Sequence, residues 1–527
     1  MHANHILHIM KKVLLFCVAA LAFCACNSQP KTPGLVKVTG GLVQGVVEED
    51  MMIFKGIPFA APPVGDLRWK APQPVIPWEG VLQADKFGPS PVSNMGFPRD
   101  ASEDCLYLNL WTPAKSPKDK LPVMVWIYGG GFSMGSSSMY DGAPIAREGV
   151  ILVTINYRVG KLGYFAHPAL SAENPQHVSG NYGILDQVAA LQWVHDNIAK
   201  FGGDPAKVTI FGESAGAISV SMLCASPLCK GLFRGAISQS GSSFGPVLPK
   251  SYPGENMQTL ATCEQEGVEY GNAMGATTAE ALRALDAVTV SRQTVVTGGA
   301  WPIVDGYVIP DDQYKMYKAG NYNDVALLIG YNADEGDSFG FTEDPKEHVA
   351  ATKERYEDYA EKLLAVYPLE PDGKVGKTAR DLGRDSAFGW GTWIWGRLQN
   401  ETGKQPVYLY YFDQDPMYPE GDRRYGHKSP HGQDVDYVFQ SLRPNSTHNP
   451  TDQELAKYML KYWTNFAKYC DPNGKGDDPT LPKWPLFKNE NSQVMVLTGD
   501  GPHPAPVPSE DAMWVLDEYF AWRRSQE

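Results

Sequence analysis

The chain has 527 residues, of which 43% are hydrophobic, 20% charged and 11% aromatic. That composition supplies a substantial apolar core and excludes an intrinsically disordered chain. The formal net charge of −14 repels phosphate backbones, which argues against a nucleic-acid partner.

The N-terminus reads as a targeting segment. Met10-Lys11-Lys12 gives a positive start, and Val13–Phe23 is a continuous apolar run. The run is too short to cross a bilayer as a helix and has the length of a signal-peptide core. Residues 1–9 add no apolar length, so Met10 is a candidate functional start. Phe23-Cys24-Ala25-Cys26 resembles a bacterial lipobox, in which the final Cys is lipidated and becomes the mature N-terminus. The expected organisation is a lipoprotein-type signal peptide over 1–26, a polar tether over 27–33, and one large domain over 34–527. Membrane association is expected only through lipid on Cys26. The alternative is ordinary signal cleavage and a periplasmic or secreted protein. Of the eight cysteines, Cys105, Cys224, Cys229, Cys263 and Cys470 lie beyond the leader. They cannot all pair with one another, and no C-x-x-C pattern suggests zinc or redox chemistry.

Short apolar runs then alternate with helical stretches. Val123–Tyr128 is an expected strand that runs directly into Gly129-Gly130-Gly131-Phe132. Glycines there let the backbone approach a substrate without a Cβ in the way, as an oxyanion-binding loop requires. Ile151–Asn156 is a second strand. Leu185–Lys200 is a helix with Ile184, Val188, Leu191 and Ile198 on one face. His195 shares that register and is expected to be a core histidine. Val208–Phe211, Gly235–Ser238, Val325–Gly330 and Val407–Phe412 are further buried strands. Leu455–Lys468 and Glu510–Arg523 are further helices. The proline-rich residues 246–253 are expected at a rim. Strands alternating with helices imply an α/β fold with a mostly parallel sheet covered on both faces.

The pentapeptide G-x-S-x-G occurs around Ser133, Ser214 and Ser243. A nucleophile elbow needs a strand before it and a helix after it. Only Ser214 meets both conditions, between Val208–Phe211 and a helix-forming stretch from Ala215 to Leu223. Ser243 follows a strand but precedes Pro246, Pro249 and Pro253, which prevent a continuing helix. Ser133 lies in the glycine-rich loop. Gly130, Gly131 and Ala215 are therefore the candidate N–H donors to an oxyanion. Glu213 is expected to support the elbow from beneath and to do no chemistry. His427, His431 and Asp434 could suggest a metal site, but no zinc-protease motif accompanies them.

Several longer blocks carry a family likeness. They include Gly56-Ile57-Pro58-Phe59-Ala60, Pro62-Pro63-Val64-Gly65, Glu103-Asp104-Cys105-Leu106-Tyr107-Leu108-Asn109 and Gly180-Asn181-Tyr182-Gly183. Phe201-Gly202-Gly203-Asp204-Pro205 then leads into Gly212-Glu213-Ser214-Ala215-Gly216. Trp463-Thr464-Asn465-Phe466-Ala467 and Asp471-Pro472-Asn473 follow near the C-terminus. With these blocks the chain resembles the type-B carboxylesterases, the family that includes the cholinesterases, over about residues 35–525. The resemblance implies an α/β-hydrolase fold and ester hydrolysis on small to medium acyl esters, with no cofactor and no metal. It also implies the acid Glu335, in Asp334-Glu335-Gly336, and the base His431, in His431-Gly432-Gln433-Asp434. Asp334 and His427 are the competitors.

Three positions depart from the family. Met95 stands where cholinesterases carry a choline-stacking Trp, so a quaternary ammonium loses its cation–π partner. Cys105 has no upstream partner within residues 27–104, so the family's disulfide there is absent. Tyr128 stands where many members carry His, which leaves backbone donors intact. Ungapped against Pro302-Ile303-Val304-Asp305-Gly306, Val296 and Gly298 take the places of the two Phe residues that narrow acetylcholinesterase acyl pockets, with Trp301 close by. That predicts room for butyryl or longer chains. The rival functions are an acyltransferase using the same residues and a non-catalytic, neuroligin-like adhesion protein.

Overall fold

A computed structural model describes residues 33–93, 100–248, 252, 254–255, 257–292, 301–339, 342, 344–370, 373, 375–443, 447 and 449–526. Cys26, Met95, Val296 and Gly298 lie outside the described residues.

The described strands are β1 (Leu35–Val38), β2 (Gly41–Gln44), β3 (Val46–Glu48), β4 (Met51–Pro58), β5 (Val81–Gln83), β6 (Tyr107–Thr112), β7 (Leu121–Ile127), β8 (Ile151–Ile155), β9 (Gly203–Glu213), β10 (Gly235–Gln239), β11 (Ala326–Asn332), β12 (Val407–Phe412), β13 (Gln493–Leu497) and β14 (His503–Pro506). An eleven-stranded sheet runs in the order β14-β13-β12-β11-β10-β9-β7-β8-β6-β4-β3. From β8 to β13 neighbouring strands pair in parallel, and the pairings at the two edges are antiparallel. A small sheet, β1-β2-β5, lies apart from it.

The middle strands are the ones that the sequence made visible. Strands β8, β10 and β11 are buried at every position, as strands covered on both faces must be, so they read as mainly apolar runs with no polar alternation. Strands β1 to β6, β13 and β14 were not anticipated. Most are short edge elements, and β3 is exposed throughout, so they carry little apolar signal.

The principal helices for the site are α1 (Tyr182–Asn197), α2 (Ala215–Ala225), α3 (Trp390–Thr402), α4 (Gln433–Val438), α5 (Asp452–Tyr469) and α6 (Glu510–Arg524). Ser238 and Gln239 of β10 lie beside Gly212 and Glu213 of β9. Gly212 packs against Gly216 of α2, whereas Gln239 accepts a hydrogen bond from Trp463 Nε1 of α5 at 3.0 Å. Successive side chains of a strand point to opposite faces, so α2 and α5 cover opposite sides of the sheet. One buried apolar cluster extends from Val38 to Phe520.

His195 is a correction. It is exposed and its Nδ1 lies 3.0 Å from Asp196 Oδ1. The buried stripe of α1 runs through Gln187, Leu191 and Val194, and both His195 and the half-buried Val188 fall at its edge. Register with a few apolar residues did not locate the stripe's centre. Cys105, Cys224, Cys229 and Cys263 are buried free thiols, and Cys470 is a partly buried one.

Candidate active site

The site sits beyond the carboxyl ends of β7, β9, β10, β11 and β12, where open α/β sheets place their ligands. Ser214 is the elbow between β9 and α2. Its φ of 55° and ψ of −123° are strained for a residue with a Cβ. The flanking glycines have steric causes. A Cβ on Gly216 would lie 2.0 Å from Ile127 O, and one on Gly212 would lie 2.5 Å from the Gly216 carbonyl carbon. Only bare backbone lets strand, turn and helix close this tightly.

Ser214 Oγ lies 2.9 Å from His431 Nε2, and His431 Nδ1 lies 2.5 Å from Glu335 Oε2. The other Glu335 oxygen accepts from Asn332 N at 2.7 Å and from Ser240 Oγ at 2.5 Å. His431 arrives on the connection between β12 and α4. Asn332 Nδ2 donates to Pro430 O at 2.8 Å. Asp434, on the first turn of α4, accepts from Gln239 Nε2 at 2.9 Å and Tyr410 OH at 3.0 Å. Phe388 lies flat on the imidazole, with centroids 4.9 Å apart and planes 10° from parallel. It is presented by a π-helical turn over Asp385–Gly389.

Three of the competitors have other partners. Asp334 Oδ1 is held by Arg380 Nε at 2.7 Å, and its Oδ2 accepts from Lys428 N at 2.9 Å. His427 Nδ1 faces Asp337 at 3.5 Å. Ser133 Oγ donates to Gly131 O at 3.1 Å. Ser243 shares the cavity with Ser214, but no described histidine bonds it.

Gly130 and Gly131 have φ of 107° and 58°, and a Cβ on Gly130 would strike Met134 O at 2.5 Å. The preceding Gly129 presses on the elbow, where a Cβ would meet Ser214 Cβ at 3.0 Å. The N–H groups of Gly130, Gly131 and Ala215 donate to no described residue.

Glu213 needs correction. It does not merely sit beneath the elbow, because its Oε1 lies 3.3 Å from His431 Nε2. Burial raises the Glu213 carboxyl to about 7, the His431 charge acting against that rise. For His431, burial by itself disfavours the imidazolium. The Glu213 and Glu335 carboxylates outweigh it and push the ring up to about 9. Glu213, Ser240 and Phe388 are the site residues that sequence reasoning missed or misplaced. Ser240 and Phe388 carry no local motif, and Glu213 was visible only as the neighbour of Ser214.

A cavity of about 320 Å³ opens over Ser214 and His431, with Gly131, Ile218, Met257, Trp301, Phe339 and Phe388 in its wall. Trp301 packs edge-on against Phe132 at 4.9 Å. Among the described residues, no cluster of His, Cys, Asp or Glu has a metal-holding arrangement.

Residues 32–505 match the family model described as the carboxylesterase family. The chain belongs to the carboxylesterase family. This carboxylesterase is 38% identical to a fumonisin B1 esterase of Sphingopyxis macrogoltabida, over 88% of its own length and 86% of that protein's. It is 35% identical to the cocaine esterase of Homo sapiens, over 84% and 83%. The carboxylesterase of Geobacillus stearothermophilus, solved at pH 6.2, superposes with a TM-score of 0.78 at 32% identity, covering 92% of this chain and 99% of that one. A PNB esterase superposes with a TM-score of 0.77 at 31% identity, covering 92% and 100%. The fold of the carboxylesterase is thus the α/β-hydrolase fold. Among its described residues, no helix is long and apolar enough to cross a membrane.

Proposed function

We propose that this carboxylesterase hydrolyses small to medium acyl esters through an acyl-enzyme on Ser214. His431 Nε2 takes the Ser214 proton as Oγ attacks the ester carbonyl. Glu335 holds Nδ1–H and stabilises the imidazolium. The N–H groups of Gly130, Gly131 and Ala215 receive the oxyanion, and losing one such donor costs about 3–4 kcal/mol. The imidazolium then protonates the leaving alcohol. Water, deprotonated by His431, releases the acid and restores Ser214. No cofactor enters these steps.

The observation that carries this reading is the unbroken chain Ser214 Oγ, His431 Nε2, His431 Nδ1, Glu335 Oε2 at 2.9 and 2.5 Å. Relatives named as a fumonisin B1 esterase and a cocaine esterase support an ester bond as the target. The filled nucleophile, acid and base positions favour an enzyme over an adhesion protein.

The test is acylation by a p-nitrophenyl ester, read by intact mass and turnover. Ser214→Ala should lose the acyl adduct and about 10⁴–10⁶-fold of the rate. Ser133→Ala and Ser243→Ala should keep the adduct. A folded Ser243→Ala protein that forms no acyl-enzyme would move the nucleophile to Ser243.

The leader is the basis for a second part of the reading. The charged start, the Val13–Phe23 run and the lipobox-like Phe23-Cys24-Ala25-Cys26 favour export with lipid on Cys26.

A further inference from the structure

The third Gly-x-Ser-x-Gly segment, Gly241-Ser242-Ser243-Phe244-Gly245, has no role in the chemistry above, yet it lies in the same cavity. Ser242, Ser243 and Gly245 line the wall with Ser214 and His431. The segment is held firmly. Ser238 Oγ donates to Gly241 O at 2.5 Å, and a Cβ on Gly241 would lie 2.6 Å from Ser214 O. It therefore runs alongside the first turn of α2, against Ser214 O and Ala217.

Ser243 is only 6% exposed. Among the described residues, neither the Ser242 nor the Ser243 hydroxyl has a hydrogen-bond partner, and neither is sealed away from the cavity. Buried hydroxyls are normally partnered. Space has also been kept for one of them. Gly391 of α3 has no side chain, and a Cβ there would lie 2.2 Å from Ser242 Oγ. Most of the remaining wall is apolar, and among the described residues it includes no Asp, Glu, Lys or Arg.

We infer that Ser242 and Ser243 form a polar subsite, and that the preferred ester carries an uncharged oxygen function, such as a hydroxyl or ketone, on the part lying along Gly241–Gly245. This rests on the proposal that Ser214 is the nucleophile. When a substrate closes the cavity and displaces water, a plain alkyl chain leaves both hydroxyls unpaired. A substrate oxygen within reach restores a donor and an acceptor. Sites built around a buried hydrogen bond discriminate against analogues that lack the partner more strongly than apolar pockets discriminate by size. Among the described residues of this wall the one charge near neutral pH is that of His431, and Glu335 and Glu213 already engage it.

The experiment compares kcat/KM for matched esters. One set pairs butyryl with 2-, 3- and 4-hydroxybutyryl esters of a single alcohol. The other pairs a plain alkyl alcohol with its hydroxylated counterpart under one acyl group. In the wild type, at least one oxygenated ester should exceed its plain partner by roughly three- to tenfold. Ser243→Ala or Ser242→Ala should cancel that ratio, and Ser243→Thr, which keeps a hydroxyl, should retain it. The ratio within each variant is the readout, and acylation by the plain ester reports that the variant is folded. If the plain ester acylates Ser214 and no ratio responds to either alanine substitution, the subsite is refuted while the esterase mechanism stands. If no ester acylates Ser214, both fall.

Discussion

Glu213 Oε1 approaches His431 Nε2 to 3.3 Å, from the residue directly before the serine that the same nitrogen contacts at 2.9 Å. An acid from the elbow thus shares the imidazole with Glu335. His431 must be neutral to accept a proton, so kcat/KM should rise with pH. Burial opposes the imidazolium, but the two carboxylates overcome it and hold the ring at about 9 rather than near its ordinary value. The rate should therefore still be climbing at about pH 8. Glu213→Gln removes a negative charge that favours the imidazolium, so the ascending limb should move to lower pH. A pH–kcat/KM profile whose limb does not move in Glu213→Gln would show that the contact has no electrostatic weight.

Glu335 and Asp334 are adjacent in sequence but point to different partners. Glu335 Oε2 meets His431 at 2.5 Å, whereas Asp334 pairs with Arg380 at 2.7 Å. Glu335→Gln should lower kcat by about 10⁴-fold, because the amide no longer stabilises the imidazolium or selects its tautomer. Asp334→Asn should cost far less rate and act mainly on stability, since the ion pair that Asp334 makes with the buried Arg380 would be weakened. Steady-state kinetics together with thermal unfolding of both variants decide the matter. The reverse order of kcat losses would make Asp334 the acid.

Trp301 stands in the cavity wall, braced edge-on by Phe132. The two neighbouring positions expected to widen the pocket, Val296 and Gly298, lie outside the described residues. With a cavity of about 320 Å³, butyryl esters should be preferred over acetyl esters of the same leaving group. Each additional buried methylene should add about fourfold to kcat/KM until the wall is reached. Trp301→Ala should move that limit to longer chains. A sharp acetyl preference in the wild type, relieved by Trp301→Ala, would instead identify the indole as the plug.

Cys26 should carry lipid. In membrane and soluble fractions of a bacterial host, the wild type should sediment with membranes and Cys26→Ser should not. Mass spectrometry of the mature N-terminus should find acyl mass on Cys26. A mature end elsewhere without acyl mass would return the protein to ordinary signal cleavage.

The sequence by itself determined those features whose physical signal is local. The Ser214 elbow is legible because strand, turn and helix are contiguous, and Gly212 and Gly216 answer a steric demand within that stretch. The central strands are legible because burial on both faces makes them mainly apolar. His195 failed the same kind of reading, because a helix has a broad face and register alone does not say which part of it meets the sheet. Only tertiary structure decided what surrounds the imidazole. Phe388 reaches it from a π-helical turn, Ser240 steadies Glu335 from the end of β10, and Glu213 turns toward it from β9. Ser242 and Ser243 likewise sit in an elbow-like string that lacks a following helix, and they acquire a cavity only because β10 ends beside β9. Such relationships depend on which strand ends are brought together by the sheet order, and that order is set by packing among segments hundreds of residues apart.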